Sequence, residues 1–311
     1  MAKQLATRVV AILAIVVCCL LAGRTLWTHH TEFYDAVDEM GVRPVLLSFA
    51  LAFVATLANW PAWHNLLLSL NAHLPVRESA RLFFVSQLGK YLPGSIWPIA
   101  AQAEVGRRYG VPRVTMVGAN VIATLMSCAV GLIIAAATLP FLAPRMWVGY
   151  FWILLLIPVL GIAIHPRMAP RVLNRVLVGL GRSPVGYPPR LLSFLRPASW
   201  SCVVWLSLGG HVASLALSLV GGGADTVLLC VAATAVAVTA GVLVVPLPAG
   251  IGVRDVVLTA LLLTIMNSPQ ALLAVIVSRL MLVAADLLLA LIALVAFKRA
   301  TEVSAGQSHL T

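Results

Sequence analysis

The chain has 311 residues, of which 61% are hydrophobic and 10% are charged, and its mean hydropathy is +1.01. Too few polar residues remain to cover a water-soluble fold, so the composition predicts an all-α, polytopic membrane protein. The net charge of +11 does not indicate nucleic-acid binding, because the arginines lie mostly in short segments beside apolar runs.

Long apolar runs predict the helices that cross the membrane. The first run, at residues 8–27, has no small-residue cleavage site after it, so we expect an uncleaved span rather than a signal peptide. Further runs predict spans at residues 44–70, 115–139, 147–164, 200–220, 226–245 and 269–297. Together with two interrupted segments, they predict about seven to eight spans.

The charges between the spans predict the orientation. Lys3 and Arg8 precede the first span and an acidic loop follows it, whereas the loop at 165–197 carries six arginines and no acidic residue. Positive loops stay in the cytoplasm, so both termini are predicted on the cytoplasmic side of the cell inner (plasma) membrane. We expect one integral-membrane domain over residues 1–311, with a disordered tail at 300–311.

The segment 82–109 is too interrupted to be a plain span. Its two arms, residues 83–92 and 95–108, would be about 15 Å and about 21 Å long, short of a hydrocarbon core of about 30 Å. These lengths predict a re-entrant hairpin that enters and leaves on the cytoplasmic side. The interrupting residues are Gln87, Lys90, Pro93, Gly94, Pro98, Gln102 and Glu104. Helical spacing places Gln87, Lys90 and Tyr91 on one face.

A second break follows the span at 226–245. Prolines and glycines interrupt the helix there, and an arginine and an acidic residue come directly after them. The broken stretch contains Pro246, Pro248, Gly250, Gly252, Arg254 and Asp255. The helix after it, residues 256–267, would be only about 18 Å long. We therefore expect a discontinuous helix or a second hairpin within the membrane, lined by protein or water.

The two breaks share one sequence form. Leu92-Pro-Gly-Ser-Ile96 and Leu247-Pro-Ala-Gly-Ile251 lie about half the chain apart, and each follows a span that runs inward. This indicates an internal duplication with half-repeats at about 1–165 and 166–299, in parallel or inverted arrangement. Broken segments at matching positions of two halves indicate a substrate site near the membrane midplane.

Ionisable side chains in these segments need partners, because each costs at least about 2.5–3.5 kcal/mol at membrane depth. Glu104 has the spacing of a local structural pair with Arg107 and Arg108. Arg279 and Asp286 are two turns apart on one face of the last span, so we expect each to meet a group from the opposite hairpin.

Two interpretations of Arg254 and Arg279 stay open. Each arginine could hold a lipid phosphate, because its planar guanidinium donates two hydrogen bonds to phosphate oxygens and keeps its charge. Alternatively, each could belong to a structural ion pair with Asp255 or Asp286. The first interpretation predicts a binding site and the second predicts a sealed core.

The chain shows no pattern typical of an enzyme. Its seven histidines are scattered, and its five cysteines form no Cys-x-x-Cys or Cys/His cluster. We therefore expect no metal site, no cofactor and no intramembrane catalysis. A Gly-x-x-x-x-Gly-Lys motif is absent from the sequence, so nothing indicates use of ATP.

The stretch from Pro246 to Asp286 resembles the lysylphosphatidylglycerol synthase transmembrane-region family, integral-membrane proteins related to the flippase half of bacterial aminoacyl-phospholipid synthases. The match is the motif Pro-x-Pro-x-Gly-x-Gly-x-Arg-acid, followed by Ser278-Arg279 and Asp286. The first hairpin, from Gly89 to Arg108, is also similar to the family's amino-terminal motif. Together these motifs cover most of the chain in matching order.

The chain departs from the family pattern in three places. Ala249 replaces a usual glycine and Asp255 a usual glutamate. Residues 119–126 lack the charged residues that many members carry, so a charge relay there is not expected. The chain is too short for the soluble aminoacyl-transferase domain of the full synthases, and we do not expect it to aminoacylate lipids.

The residues and the resemblance together predict a flippase-like membrane lipid translocase. A groove between the two hairpins would shelter a charged or glycosylated lipid head while the lipid tails stay in the bilayer. We expect its lining to be Gln87, Lys90, Tyr91, Gln102, Glu104, Arg254, Asp255, Arg279 and Asp286. A phospholipid or a polyprenyl-linked lipid would fit. The alternative is a non-transporting lipid-binding membrane subunit that works with cell-envelope biosynthesis enzymes.

Overall fold

The computed structural model describes residues 31, 35, 38–91, 97–138, 191–243 and 252–307, which form helices and turns without a strand. Five of the described helices are long and apolar enough to cross a membrane. They are α1 (Val42–Ser69), α4 (Arg113–Thr138), α5 (Leu195–Val220), α6 (Ala224–Leu243) and α8 (Ser268–Gln307). The expectation of an all-α, polytopic membrane protein is therefore confirmed.

Apart from the carboxyl end of α8, the long helices match the predicted spans to within about five residues, because long apolar runs form the spans. The predicted spans at 8–27 and 147–164 and the arginine-rich segment 165–190 lie outside the described residues. At the carboxyl end, α8 continues to Gln307. The helix thus enters the segment 300–311, for which the sequence predicts a disordered tail.

The first interrupted segment forms two short helices that pack against each other, α2 (Val76–Gln87) and α3 (Trp97–Arg108). A 3₁₀ turn, Leu88–Tyr91, extends the first one. Each helix is about 18 Å long, too short to cross the hydrocarbon core. The predicted start of the first arm at residue 83 is wrong: α2 begins directly after Pro75, because proline fits the start of a helix. The segment between the arms, 92–96, lies outside the described residues.

The second interrupted segment leads into another short helix, α7 (Val253–Leu262). Gly252 precedes it with φ 91°, a conformation that glycine adopts readily and other residues avoid. Asp255 lies in the first turn and accepts a 3.4 Å hydrogen bond from the Gly252 amide, and a carboxylate favours a helix amino terminus. The prediction that the helix resumes only at residue 256 is therefore wrong. Arg254 and Asp255 belong to α7.

The predicted internal duplication depends on the motif that the two interrupted segments share. Both motif copies, at residues 92–96 and 247–251, lie entirely outside the described residues. The half-repeats at 1–165 and 166–299 therefore stay a prediction.

Helix α5 is the centre of the described part of the protein, because it packs against α1, α4, α6 and α8. Small residues permit the close approach. Trp205 of α5 lies over Gly131 of α4 and donates a 2.7 Å hydrogen bond to the carbonyl of Ser127. A Cβ added at Gly209 would lie 2.6 Å from the Cα of Val231 on α6. Packing of small residues at helix crossings is what holds membrane helices together.

Adjacent glycines on α5 provide a test of this packing. We expect Gly209→Ala to destabilise the protein by about 1–3 kcal/mol, because the added methyl group meets a backbone atom. Gly210→Ala is the matched control: its Cβ would lie 3.4 Å from the end of the Leu51 side chain. Helix propensity then favours the control by up to about 1 kcal/mol. Thermal unfolding in detergent measures both, and equal losses would contradict the packing described.

Candidate functional site

The first short-helix pair docks on α8 through the carboxylate of Asp286. Lys90 Nζ lies 2.6 Å from Asp286 Oδ2, and the Tyr91 hydroxyl donates a 2.5 Å hydrogen bond to the same oxygen. The Asp286 side chain is 3% exposed and that of Lys90 is 33% exposed. The 3₁₀ turn thus supplies both partners of a carboxylate buried inside the span.

The second short helix docks on α8 through Arg279. Its Nη1 atom donates to both carboxylate oxygens of Asp255, each at 3.3 Å. These side chains are 21% and 28% exposed. Arg279 and Asp286 therefore meet groups from different short-helix segments, one from α7 and one from the turn after α2. We expected each to meet a group from the opposite hairpin. Asp286 does so, whereas Arg279 pairs with Asp255 of the second interrupted segment, which lies in its own half of the chain.

Arg254 is held much more loosely than Arg279. Its Nη2 atom donates a long, 3.4 Å hydrogen bond to Ser278 Oγ. Its Nε atom is buried and has no hydrogen-bond partner in the described part of the chain. Its guanidinium interacts electrostatically with Asp255, Arg279 and Tyr91. An unpaired buried donor on a charged group is costly, so this side chain is a candidate for binding an anion.

These side chains form one charged cluster, defined as Lys90, Tyr91, Arg254, Asp255, Ser278, Arg279 and Asp286. The Tyr91 hydroxyl interacts electrostatically with Asp286, Arg279 and Arg254, which places both ion pairs and the loose arginine within range of one another. Three cationic and two anionic side chains give this set of described residues a net charge of +1. Residues 92–96 and 244–251 add no charge, because neither segment contains an ionisable residue.

Three of the predicted groove residues, Gln87, Gln102 and Glu104, lie outside this cluster. Gln102 is 1% exposed, donates a 2.8 Å hydrogen bond to Ser86 Oγ and accepts another of 2.8 Å from Asn120. It therefore joins α2, α3 and α4. Gln87 is half-buried at the end of α2. Among the predicted hairpin residues, Gly252 is described, while Pro93, Gly94, Pro246, Pro248 and Gly250 lie outside the described residues.

Glu104 is exposed and is bound by arginines near the junction of α3 and α4. It accepts a 3.1 Å hydrogen bond from Arg107, which confirms one of the two partners that the spacing predicts, whereas Arg108 makes no hydrogen bond or ion pair with it. Arg113 provides a second partner that the sequence analysis missed, through Nε at 3.0 Å and through Nη2. Hydrogen bonding from Arg113 is the main reason why the pKa of Glu104 lies below its ordinary value of 4.5.

A buried hydrogen-bonded chain beside the cluster was also missed by sequence reasoning. His211 of α5 lies with Nε2 2.8 Å from Ser278 Oγ and Nδ1 2.6 Å from Ser48 Oγ of α1. All three residues are 0% exposed. The available signal was a polar residue inside each of three apolar spans, since each such residue needs a partner in the membrane. No local spacing connects them.

The Lys90–Asp286 pair can be tested with a double-mutant cycle. We expect Lys90→Met to destabilise the protein by about 1–3 kcal/mol, because it leaves a buried carboxylate without its cation. Adding Asp286→Asn to that variant should restore part of the loss, since the amide keeps a Tyr91 acceptor without the charge. Thermal unfolding in detergent gives all four stabilities, and strictly additive losses would contradict a direct pair.

The arginine partners of Glu104 predict a pH dependence. At pH 7 we expect Glu104→Gln to unfold at a slightly lower temperature than the wild type. A carboxylate whose pKa is lowered in the folded state stabilises the fold fully at a pH above its unfolded-state pKa. This stabilisation is lost as the pH falls through the folded-state pKa. The difference in unfolding temperature between the two proteins should therefore disappear as the pH falls below 4.5. A gap that persists unchanged at about pH 3 would contradict the ion pairs.

Comparison with protein families gives a match over most of the chain. A family model described as "Lysylphosphatidylglycerol synthase TM region" covers residues 8–290, nearly the whole chain. The chain matches none of the curated proteins with which it was compared.

Proposed function

The chain belongs to the lysylphosphatidylglycerol synthase transmembrane-region family, and we propose that it is a membrane lipid translocase of the flippase type. It moves a charged or glycosylated lipid head between leaflets, past the joint of the two short-helix segments and α8. One observation carries this proposal: the charged cluster has an excess positive charge, and Arg254 within it keeps a buried, unpaired donor.

A lipid phosphate is the anion that suits this cluster. A phosphodiester carries one negative charge, which equals the excess charge of the cluster. Arginine donates two parallel hydrogen bonds to phosphate oxygens and keeps its charge at every physiological pH. Arg254 is free for this role because its Nε atom binds no described residue. Arg279 is beside it and adds positive charge.

The surroundings of the cluster suit lipid tails. Leu280, Leu287 and Leu291 on α8 are 63%, 53% and 57% exposed, so apolar side chains face outward at the height of the charged residues. The head of a lipid can then bind among the charged side chains while its tails remain in the hydrocarbon. This arrangement lowers the cost of carrying a charge through the bilayer core.

The two ion pairs give the transfer a structural basis. Asp286 is held by both Lys90 and Tyr91 at short distances, whereas Arg279 binds Asp255 at 3.3 Å. A lipid phosphate that takes over Arg279 replaces the looser pair first. The contact between Asp255 of α7 and Arg279 of α8 then opens, while the first segment stays docked. In this proposal, the termini are cytoplasmic and the protein acts in the inner membrane.

The arginines can be tested in proteoliposomes that contain NBD-labelled phosphatidylglycerol. Dithionite added outside bleaches only the outer leaflet, so loss of the protected signal reports transfer. We expect Arg254→Ala and Arg279→Ala each to slow transfer at least about tenfold, the cost of a lost charge-assisted hydrogen bond. Arg107→Ala is the control, because this arginine is exposed and pairs with Glu104.

The outcomes separate the two functions. Wild-type rates in both arginine variants would contradict the phosphate-binding role. Saturable binding of the labelled lipid without any transfer would favour the alternative, a lipid-binding membrane subunit that works with a cell-envelope enzyme.

A further inference from the structure

The buried polar chain of Ser48, His211 and Ser278 ends at the charged cluster. These three residues come from α1, α5 and α8, and none is exposed. Within a membrane span, such groups are stable only when protein partners satisfy them. These hydrogen-bonded residues also contact the candidate anion-binding residue, because Ser278 Oγ accepts the 3.4 Å hydrogen bond from Arg254.

The hydrogen-bond directions along this chain are fixed by its ends. At one end, the Ser48 carbonyl lies 3.0 Å from His211 Nδ1 and can only accept a proton. At the other end, Arg254 can only donate, so Ser278 Oγ accepts there and its hydroxyl proton points to His211 Nε2, 2.8 Å away. Nε2 is then the acceptor, and Nδ1 carries the imidazole proton. That proton is donated to Ser48, whose Oγ lies at 2.6 Å and whose carbonyl lies at 3.0 Å.

Ser48 completes the chain without a conflict. Its hydroxyl proton is donated to the main-chain carbonyl of His211 at 2.9 Å, which leaves its Oγ lone pairs for the imidazole. Every side-chain donor of Ser278, His211 and Ser48 therefore has an acceptor. The ring of His211 sits in one tautomer and one orientation.

We infer that His211, acting through Ser278, is a positioning residue that keeps the guanidinium of Arg254 available for a lipid phosphate. The inference rests on the proposed lipid site. Asp255 attracts the same guanidinium. His211 orients the Ser278 hydroxyl so that its lone pair faces Arg254 and competes with this carboxylate. Without that orientation, Arg254 turns to Asp255, and its free donors are lost to an internal ion pair.

Two substitutions of His211 separate positioning from mere structural support. In His211→Gln, the side-chain oxygen can take the place of Nε2 and still accept from Ser278. In His211→Asn, the shorter amide can replace Nδ1 and still donate to Ser48, but it no longer reaches Ser278. A positioning role needs the contact with Ser278, whereas a structural role needs the link between α5 and α1.

The readout is binding of NBD-labelled phosphatidylglycerol to the full chain in mixed micelles, with thermal unfolding measured in parallel. We expect His211→Asn and Ser278→Ala to weaken binding about tenfold, as Arg254→Ala does, and His211→Gln to stay within about threefold of the wild type. Ser214→Ala is the matched control. It removes a different hydrogen bond between α5 and α1, to the carbonyl of Pro44, and should bind normally.

Each outcome decides a separate question. Normal binding by His211→Asn, with binding lost in Arg254→Ala, would overturn the positioning role and leave the lipid site intact. Should His211→Asn fail to fold, normal binding by Ser278→Ala would overturn it equally. Saturable wild-type binding without leaflet transfer would end the translocase proposal and leave the positioning role standing. Absence of saturable wild-type binding would overturn both.

Discussion

Charged side chains within a membrane span are costly because the hydrocarbon core offers no water to solvate them. In this protein, Arg279 and Asp286 both lie inside the long helix α8, where each needs a partner from elsewhere in the chain. Helix α7 supplies the partner of Arg279, and the turn after α2 supplies the partners of Asp286. Ion pairing thus links both short-helix segments to α8, and it gathers the charged cluster in one place.

The two docking contacts differ in strength, and this difference connects structure with function. Asp286 is buried and binds both Lys90 and Tyr91, so the first segment is fixed to α8. The Arg279–Asp255 contact is longer and more exposed. Arg254 is the loosest of all, with a weak bond to Ser278 and a buried donor left over. A cluster that is fully satisfied on one side and incomplete on the other suits reversible binding of an anion.

The sequence predicted those features that depend on local composition. Apolar runs located the long helices, and the two-turn spacing of Arg279 and Asp286 predicted that each meets a group from another segment, although not which segment. The start of α7 was missed by a few residues. The residues that interrupt the helix end at Gly252. Arg254 and Asp255 belong to the same sequence motif, but they lie in the first turn of α7. A helix boundary depends on backbone conformation as well as on residue type.

The His211 chain was not predictable in this way. Its members lie far apart in the sequence, in helices whose packing decides which faces meet. The same is true of Arg113 as a partner of Glu104, because the turn between α3 and α4 brings it back. Conversely, Gln102 was expected at a lipid groove from its polarity alone, and the structure gives it two protein partners. Polarity marks a residue that needs a partner, but it does not tell which partner.

The central claim is that Arg254 holds a lipid phosphate, and a cryo-EM structure of the protein in nanodiscs rich in phosphatidylglycerol tests it most directly. The account predicts density for a phosphate group within hydrogen-bonding distance of the Arg254 guanidinium, with lipid tails running along the exposed face of α8. A guanidinium bound to Asp255 in a sealed core, with no lipid head beside it, would contradict the account.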